Sequence, residues 1–274
     1  VDVSIGLALL HIKEDVPAAL SAFQASIIND PDNIGGYFGL DQSLSLLSRP
    51  SSERVAALER YPDRAAMPTA LVYELALNLA ESGDYDTAES LFHNRFFLRA
   101  EGGTNVREVW TEVRLQRSLA LARAGHCETA QQIADQLGAA LPGLEFTRDG
   151  MQKILESPRT NYLLGDMQLS CGQAGMAKQR FERAASGTGE SVWSYMAARK
   201  IGHYDQVQWH QRLTNELTTY QSAGTSLGAY NAAMLEQALG NGAAAKASFR
   251  DALLMPDPRM AYHLSRLGLE GLKE

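Results

Sequence analysis

The sequence is short of cysteine, of basic charge, of long apolar runs and of strand-like alternation, and each shortage removes a class of protein. Only Cys127 and Cys171 are present. Two cysteines make neither a disulfide framework nor a zinc site of their own. The expectation is a pair of small, semi-buried thiols in a reducing, cytoplasmic compartment. The net charge of -7 and the pI near 5.4 exclude the basic stripe that nucleic-acid binding requires and disfavour docking on an anionic membrane surface. The longest apolar candidate, 70–80, is cut by Glu74 and Asn78 and falls well short of the roughly 18 to 20 residues that cross a bilayer. Runs of β-branched residues alternating with polar ones between tight turns are missing. The chain starts at Val1 with no basic-then-apolar leader, and a start without Met suggests a processed chain or a fragment.

Catalytic signatures are missing as well. There is no G-x-x-x-x-G-K-[ST], no G-x-G-x-x-G after a strand, no H-E-x-x-H and no G-x-S-x-G. "LGNGAA" lacks the phosphate-binding Lys and reads as a turn between helices. His203 and His210 are seven residues apart, but no carboxylate or Cys stands beside them at ligand spacing. The expectation is therefore a protein without metal, cofactor or catalytic residues.

What is present is helix. Apolar residues are 45% of the chain and recur at three- and four-residue spacing, as on amphipathic helices. In "ALVYELALNLAESGDYDTAESLFHNRF", Leu75, Ala76 and Leu79 share one helical face, and Ala88, Leu91 and Phe92 line a second. Between them "SGDY" supplies a Gly for a helix C-terminus and an Asp for the next N-cap. The grammar returns in "VPAALSAFQASIINDP", with Ala19 and Phe23, and in "LQRSLALARAGHCETAQQIADQL", with Gly125, Ala130 and Ala134. It returns again in "NYLLGDMQLSCGQAGMAKQRFERAA", with Gly165, Gly172, Ala177 and Phe181, and in "YNAAMLEQALGNGAAAKASFRDALLMPD", with Gly240, Ala245, Phe249 and Pro256. Two further hairpins are weaker, at 34–62 and at 190–220, where Val207 stands in place of the usual Ala.

This succession resembles a tetratricopeptide repeat array. The resemblance implies an all-α, right-handed superhelical array of six to seven hairpins in a single domain over 1–274. The hairpins fall near 1–31, 34–62, 68–96, 106–141, 158–186, 190–220 and 226–255, with a C-terminal capping helix at 258–272. Physically, a small residue in the first helix admits the second, an aromatic fills the gap between hairpins, and Pro ends the unit. The period departs from the family: Ala88, Ala130 and Ala177 are 42 and 47 residues apart, against about 34. Long connections at 94–108 and 138–158 take up the difference. In the first, Gly102 and Gly103 follow Glu101, allow unusual backbone angles, and lead to Thr104 or Asn105 as the cap of the next helix. The order of features, with Phe97, Glu101, Gly102 and Gly103 after one hairpin and Leu141 to Gly143 after the next, is also similar to the C-terminal repeat region of bacterial proteins that carry an upstream galactose-mutarotase-like domain.

In such arrays the first helix of each hairpin lines a concave groove. The resemblance places Tyr73 and Tyr162 at equivalent groove positions, joined by Phe38, Leu115 and Tyr230; packing between first helices is the competing reading. Asp166 and Asn231, with Glu81, Arg123 and Gln237, supply polar groups nearby. The positions that grip a peptide carboxylate in chaperone-binding members hold Tyr73, Leu77, Leu115, Leu119, Tyr162 and Asp166, which argues against that clamp. The functional expectation is a non-catalytic module that binds a protein segment, or a neighbouring domain of the same polypeptide, in the groove. One alternative is an accessory domain of a carbohydrate-active protein that contributes to a sugar site. A more remote one is a hydrolase using acids of the long connections: Glu101, Glu108, Glu145 and Asp149.

Overall fold

The computed structural model describes residues 2–97, 105–255 and 259–272. The chain is all-α. Its helices are α1 (Asp2–His11), α2 (Val16–Asn29), α3 (Ile34–Leu46), α4 (Ser51–Leu58), α5 (Thr69–Glu81), α6 (Tyr85–Ser90), α7 (Val106–Arg123) and α8 (Cys127–Asp135). They continue with α9 (Met151–Leu155), α10 (Pro158–Ser170), α11 (Ala174–Ser186), α12 (Ser191–Lys200), α13 (Gln206–Gln221), α14 (Ser226–Ala238), α15 (Gly242–Leu254) and α16 (Arg259–Gly271).

Local chemistry sets the helix ends. Gly83, at φ 84°, terminates α5 in a left-handed conformation that other residues adopt at a cost. Its N–H donates to the Ala80 carbonyl, and that of Asp84 donates to Leu79. This paired arrangement satisfies carbonyls that the helix end leaves open. The Asp84 side chain then accepts from Thr87 N and caps α6. The same pair of backbone bonds recurs at Gly125, Gly172, Gly202 and Gly240. Ser48, at φ 56°, plays the part at the end of α3 without a glycine. Asn105 caps α7 by accepting from Arg107 N.

Packing follows chain order. Apart from α8 and α9, each helix rests on its sequence neighbour, and a second series of contacts joins α1 to α3, α3 to α5, α5 to α7, α7 to α10, α10 to α12, α12 to α14 and α14 to α16. Aromatic rings wedge between helices at glycines that leave room for them. A Cβ at Gly39 would lie 2.2 Å from the Phe23 ring, one at Gly165 2.7 Å from Phe181, and one at Gly268 2.3 Å from Phe249. Gly165 and Phe181, both singled out in the sequence, thus meet face to face. Val207 does not take part: it is 77% exposed, and Leu213 is the buried residue of α13.

Contacts of long sequence separation join the ends of the chain. α15 packs on α3, with Gln42 donating to the Leu253 carbonyl at 2.7 Å. α16 reaches α5. The two long connections also meet. β1 (Arg95–Phe96) pairs in parallel with β2 (Leu144–Glu145), a two-residue ladder that the sequence pattern does not signal.

The cysteine expectation is corrected. Cys127, the first residue of α8, and Cys171, which caps the end of α10, form a disulfide with Cα atoms 5.5 Å apart. The packing of α7 against both α8 and α10 brings these two helix ends together. No helix among the described residues is long and apolar enough to cross a membrane.

Two outcomes are expected. Thiol titration of the unfolded chain should find no free thiol before reduction and two after it, with reduction costing about 2–4 kcal/mol in urea unfolding. Replacing Gly39 by Ala should cost about 1–3 kcal/mol, because the added methyl collides with Phe23 in a packed core.

Candidate functional site

The most unusual feature of the interior is charge. Glu74 and Asn78, which interrupt the apolar run of α5, turn inward together with Glu81 at the helix end. Asp41 comes from α3, Arg54 from α4, Glu112 from α7 and Arg159 from α10. His263 and Arg266 come from α16, one helical turn apart. All of these side chains are buried or nearly so.

Asn78 sits at one pole of the network. Its amide donates to Asp41 at 2.7 Å, and its carbonyl oxygen accepts from Arg54 at 2.6 Å and from Arg266 at 3.3 Å. Arg54 and Arg266 converge on Glu81; the Nε of Arg266 lies 2.9 and 3.0 Å from its two oxygens. At the other pole Arg159 grips Glu112 with two bonds of 2.6 and 2.8 Å. The planar guanidinium fork suits this geometry.

His263 joins the poles. It is fully buried, with Nδ1 2.7 Å from Glu81 and Nε2 3.3 Å from Glu112. Carboxylates only accept, so both ring nitrogens must donate, and both donate only in the imidazolium. Burial alone would lower the imidazole pKa; the hydrogen bonds to Glu112 and Glu81 and their charges raise it above its ordinary value. Burial alone would likewise raise the Glu81 carboxyl, but Arg266, Arg54 and His263 override it and hold the group well below the usual carboxylate range. Glu112 is held down in the same way by Arg159 and His263. Four carboxylates (Asp41, Glu74, Glu81 and Glu112) then face three guanidiniums (Arg54, Arg159 and Arg266), and a protonated His263 evens the balance.

The aromatic ladder expected in the groove lies largely in the core. Tyr73 is fully buried, its ring 5.8 Å from that of Phe97, beneath a cluster completed by Phe92, Trp110 and Phe146. The two long connections supply Phe97 and Phe146, so the segments that lengthen the period also cover this tyrosine. Tyr162 packs between Phe181 and Trp193, and Tyr230 against Phe249. Leu115 is buried among residues of α8 and α10, and Phe38 is half-buried against the core around Tyr73. These residues are therefore not an open binding ladder. Asp166 is half-buried and paired with Lys200 at 2.9 Å, and Asn231 is half-buried. Glu101, Gly102 and Gly103 lie outside the described residues. Glu145 and Asp149 are exposed, and only Glu108 of the connection acids faces the cleft described next. His203 and His210 are exposed, and no group of three or more metal-ligating side chains is present among the described residues.

A cleft of about 1090 Å³ opens beside the Glu112 pole, between α7, α9, α10, the start of α12 and α16. Residues of α16 form one wall, so this helix both completes the buried charge network and shapes the open space next to it. Comparison of the chain with family models and with curated proteins gave no match.

The network makes stability depend on pH in a stated direction. Below about pH 6.5 His263 is protonated in both the folded and unfolded chain, and its contribution is complete. Above that value the unfolded chain loses its proton first, so stability falls until pH passes the raised folded value. Glu81 and Glu112, whose folded values are lowered, contribute above about pH 4.3 and lose that contribution as pH falls further. Urea midpoints should therefore drop between pH 6 and 8.5, and His263→Gln should flatten that slope; an unchanged slope would remove the imidazolium assignment. Arg266→Ala should cost about 3–5 kcal/mol, since it strands buried carboxylates.

Proposed function

We propose that the chain is a tetratricopeptide-like helical repeat and that it works as a non-catalytic interaction module. Its inner layer of helices receives a basic amphipathic helix. The observation that carries this reading is the seat of α16. This helix meets the acids of three earlier helices, α3, α5 and α7, with two basic groups one turn apart. Helix-in-groove recognition uses such i, i+3 anchors on an apolar face. A stack of helix pairs that cannot bury their faces alone offers the extended inner surface this requires. In the described chain the module's own last helix occupies that surface. A segment of a partner, or of a neighbouring domain, with the same basic spacing competes for it. The Cys127–Cys171 bond supports residence in a disulfide-permitting compartment in place of the cytoplasm.

The test uses the full chain and a labelled synthetic peptide with the sequence of 259–272. In an Arg266→Glu variant the new carboxylate is repelled by Glu81 and Glu74, and α16 leaves its seat. Fluorescence anisotropy should then show the peptide bound at least tenfold more tightly than by the native chain. A peptide with Ala in place of the His and Arg anchors should lose that binding. Equal, negligible binding to both chains, with helicity retained and α16 released to proteolysis, would refute the reading.

A further inference from the structure

The cleft beside α16 holds a second recognition feature, independent of the groove reading. Arg107 and Thr111 lie four residues apart on α7 and both line it. Arg107 is 5% exposed and Thr111 1%. The Nε of Arg107 donates to Asn105 Oδ1 at 2.9 Å, but Nη1 has no acceptor, and neither has the Thr111 hydroxyl. No ion pair is made by Arg107 among the described residues, in contrast to the guanidiniums of Arg54, Arg114, Arg159 and Arg266, each of which meets a carboxylate. A buried guanidinium with one amide acceptor, no carboxylate partner and an unsatisfied Nη1 is costly. Gly150, at φ 80°, lies beside Nη1: a Cβ there would sit 3.6 Å from it.

We propose that this cleft binds a small organic monocarboxylate with an apolar body. The carboxylate meets Arg107 and Thr111, supplying the acceptors both lack. The body lies against Leu227, Met260 and Leu264, the first of which is 51% exposed at the start of α14. The cleft, at about 1090 Å³, has room to admit such a ligand. Its charge selects against a dianion. Arg107, Lys153 and Arg159 face Glu108, Glu112, Glu156 and Glu190 across the same space, so a phosphate monoester gains little from the surroundings beyond the one guanidinium. The Glu112 charge is already met by Arg159, and Glu190 accepts from the Arg159 backbone N–H at 3.1 Å, which leaves Arg107 as the buried cation of the cleft that no carboxylate meets.

The probes are 4-phenylbutyrate, its neutral amide 4-phenylbutanamide, and phenyl phosphate, each titrated into the native full chain by calorimetry and by NMR of methyl groups. Phenylbutyrate should bind at least tenfold more tightly than the amide and shift the methyl signals of Leu227, Met260 and Leu264. Arg107→Gln should erase the difference between acid and amide. Thr111→Val should reduce affinity for the acid about three- to tenfold, and Leu227→Asp, at the exposed mouth where folding is not at risk, should weaken both ligands. Equal binding of acid and amide, tighter binding of phenyl phosphate, or the absence of any methyl shift at saturating probe would overturn the proposal. Because α16 keeps its seat throughout, these outcomes do not depend on whether the groove accepts a foreign helix.

Discussion

An imidazolium sealed between two carboxylates connects this fold from end to end. His263 arrives on the last helix and finds Glu81 and Glu112 on helices formed 182 and 151 residues earlier. Most helices of this chain touch those near them in sequence, and contacts of that kind add up as local terms. The network adds a non-local term. Removing one member strands the others in a medium that does not solvate them, so the group acts as a unit. The first half of the chain, the middle and α16 are thereby coupled, with Gln42 on the Leu253 carbonyl as a neutral companion contact.

Local features of this architecture are legible in the sequence because their physics is local. Gly83 ends its helix through backbone conformation alone, Asp84 caps the next through a bond three residues long, and Gly165 admits the ring of Phe181 across one hairpin. The buried network is only half legible. Glu74 and Asn78 are visible as polar breaks in an apolar run, but nothing near them names Arg54 or Arg266 as the reason. A His and an Arg three apart on a strongly amphipathic C-terminal helix were the available signal on the other side. Pairing the two sides requires knowing that α16 meets α5 and α7, contacts across 182 and 151 residues that leave no local trace in the sequence.

The burial of the expected groove residues has a related origin. Tyr73 has the register of a groove residue, yet Phe97 and Phe146 from the two long connections cover it. A repeat pattern describes the regular units and says nothing of what an irregular segment lies against. Cys127 and Cys171 are similar: each is unremarkable at its own helix end, and only the stacking of α8 and α10 on α7 sets them within bonding distance. Arg107 belongs with them, since an unpaired guanidinium is recognisable only once every neighbouring acid has been assigned to another partner.

The seating of α16 by buried charge is the central claim, and amide hydrogen exchange reads it most directly. If the network holds the helix, the amides of 260–271 should exchange as slowly as those of α5 and α7 in the native chain at pH 6. In a Glu81→Gln variant they should become at least a hundredfold faster while α5 and α7 stay protected. Exchange of α16 within seconds in the native chain, with α5 and α7 protected, would contradict the account.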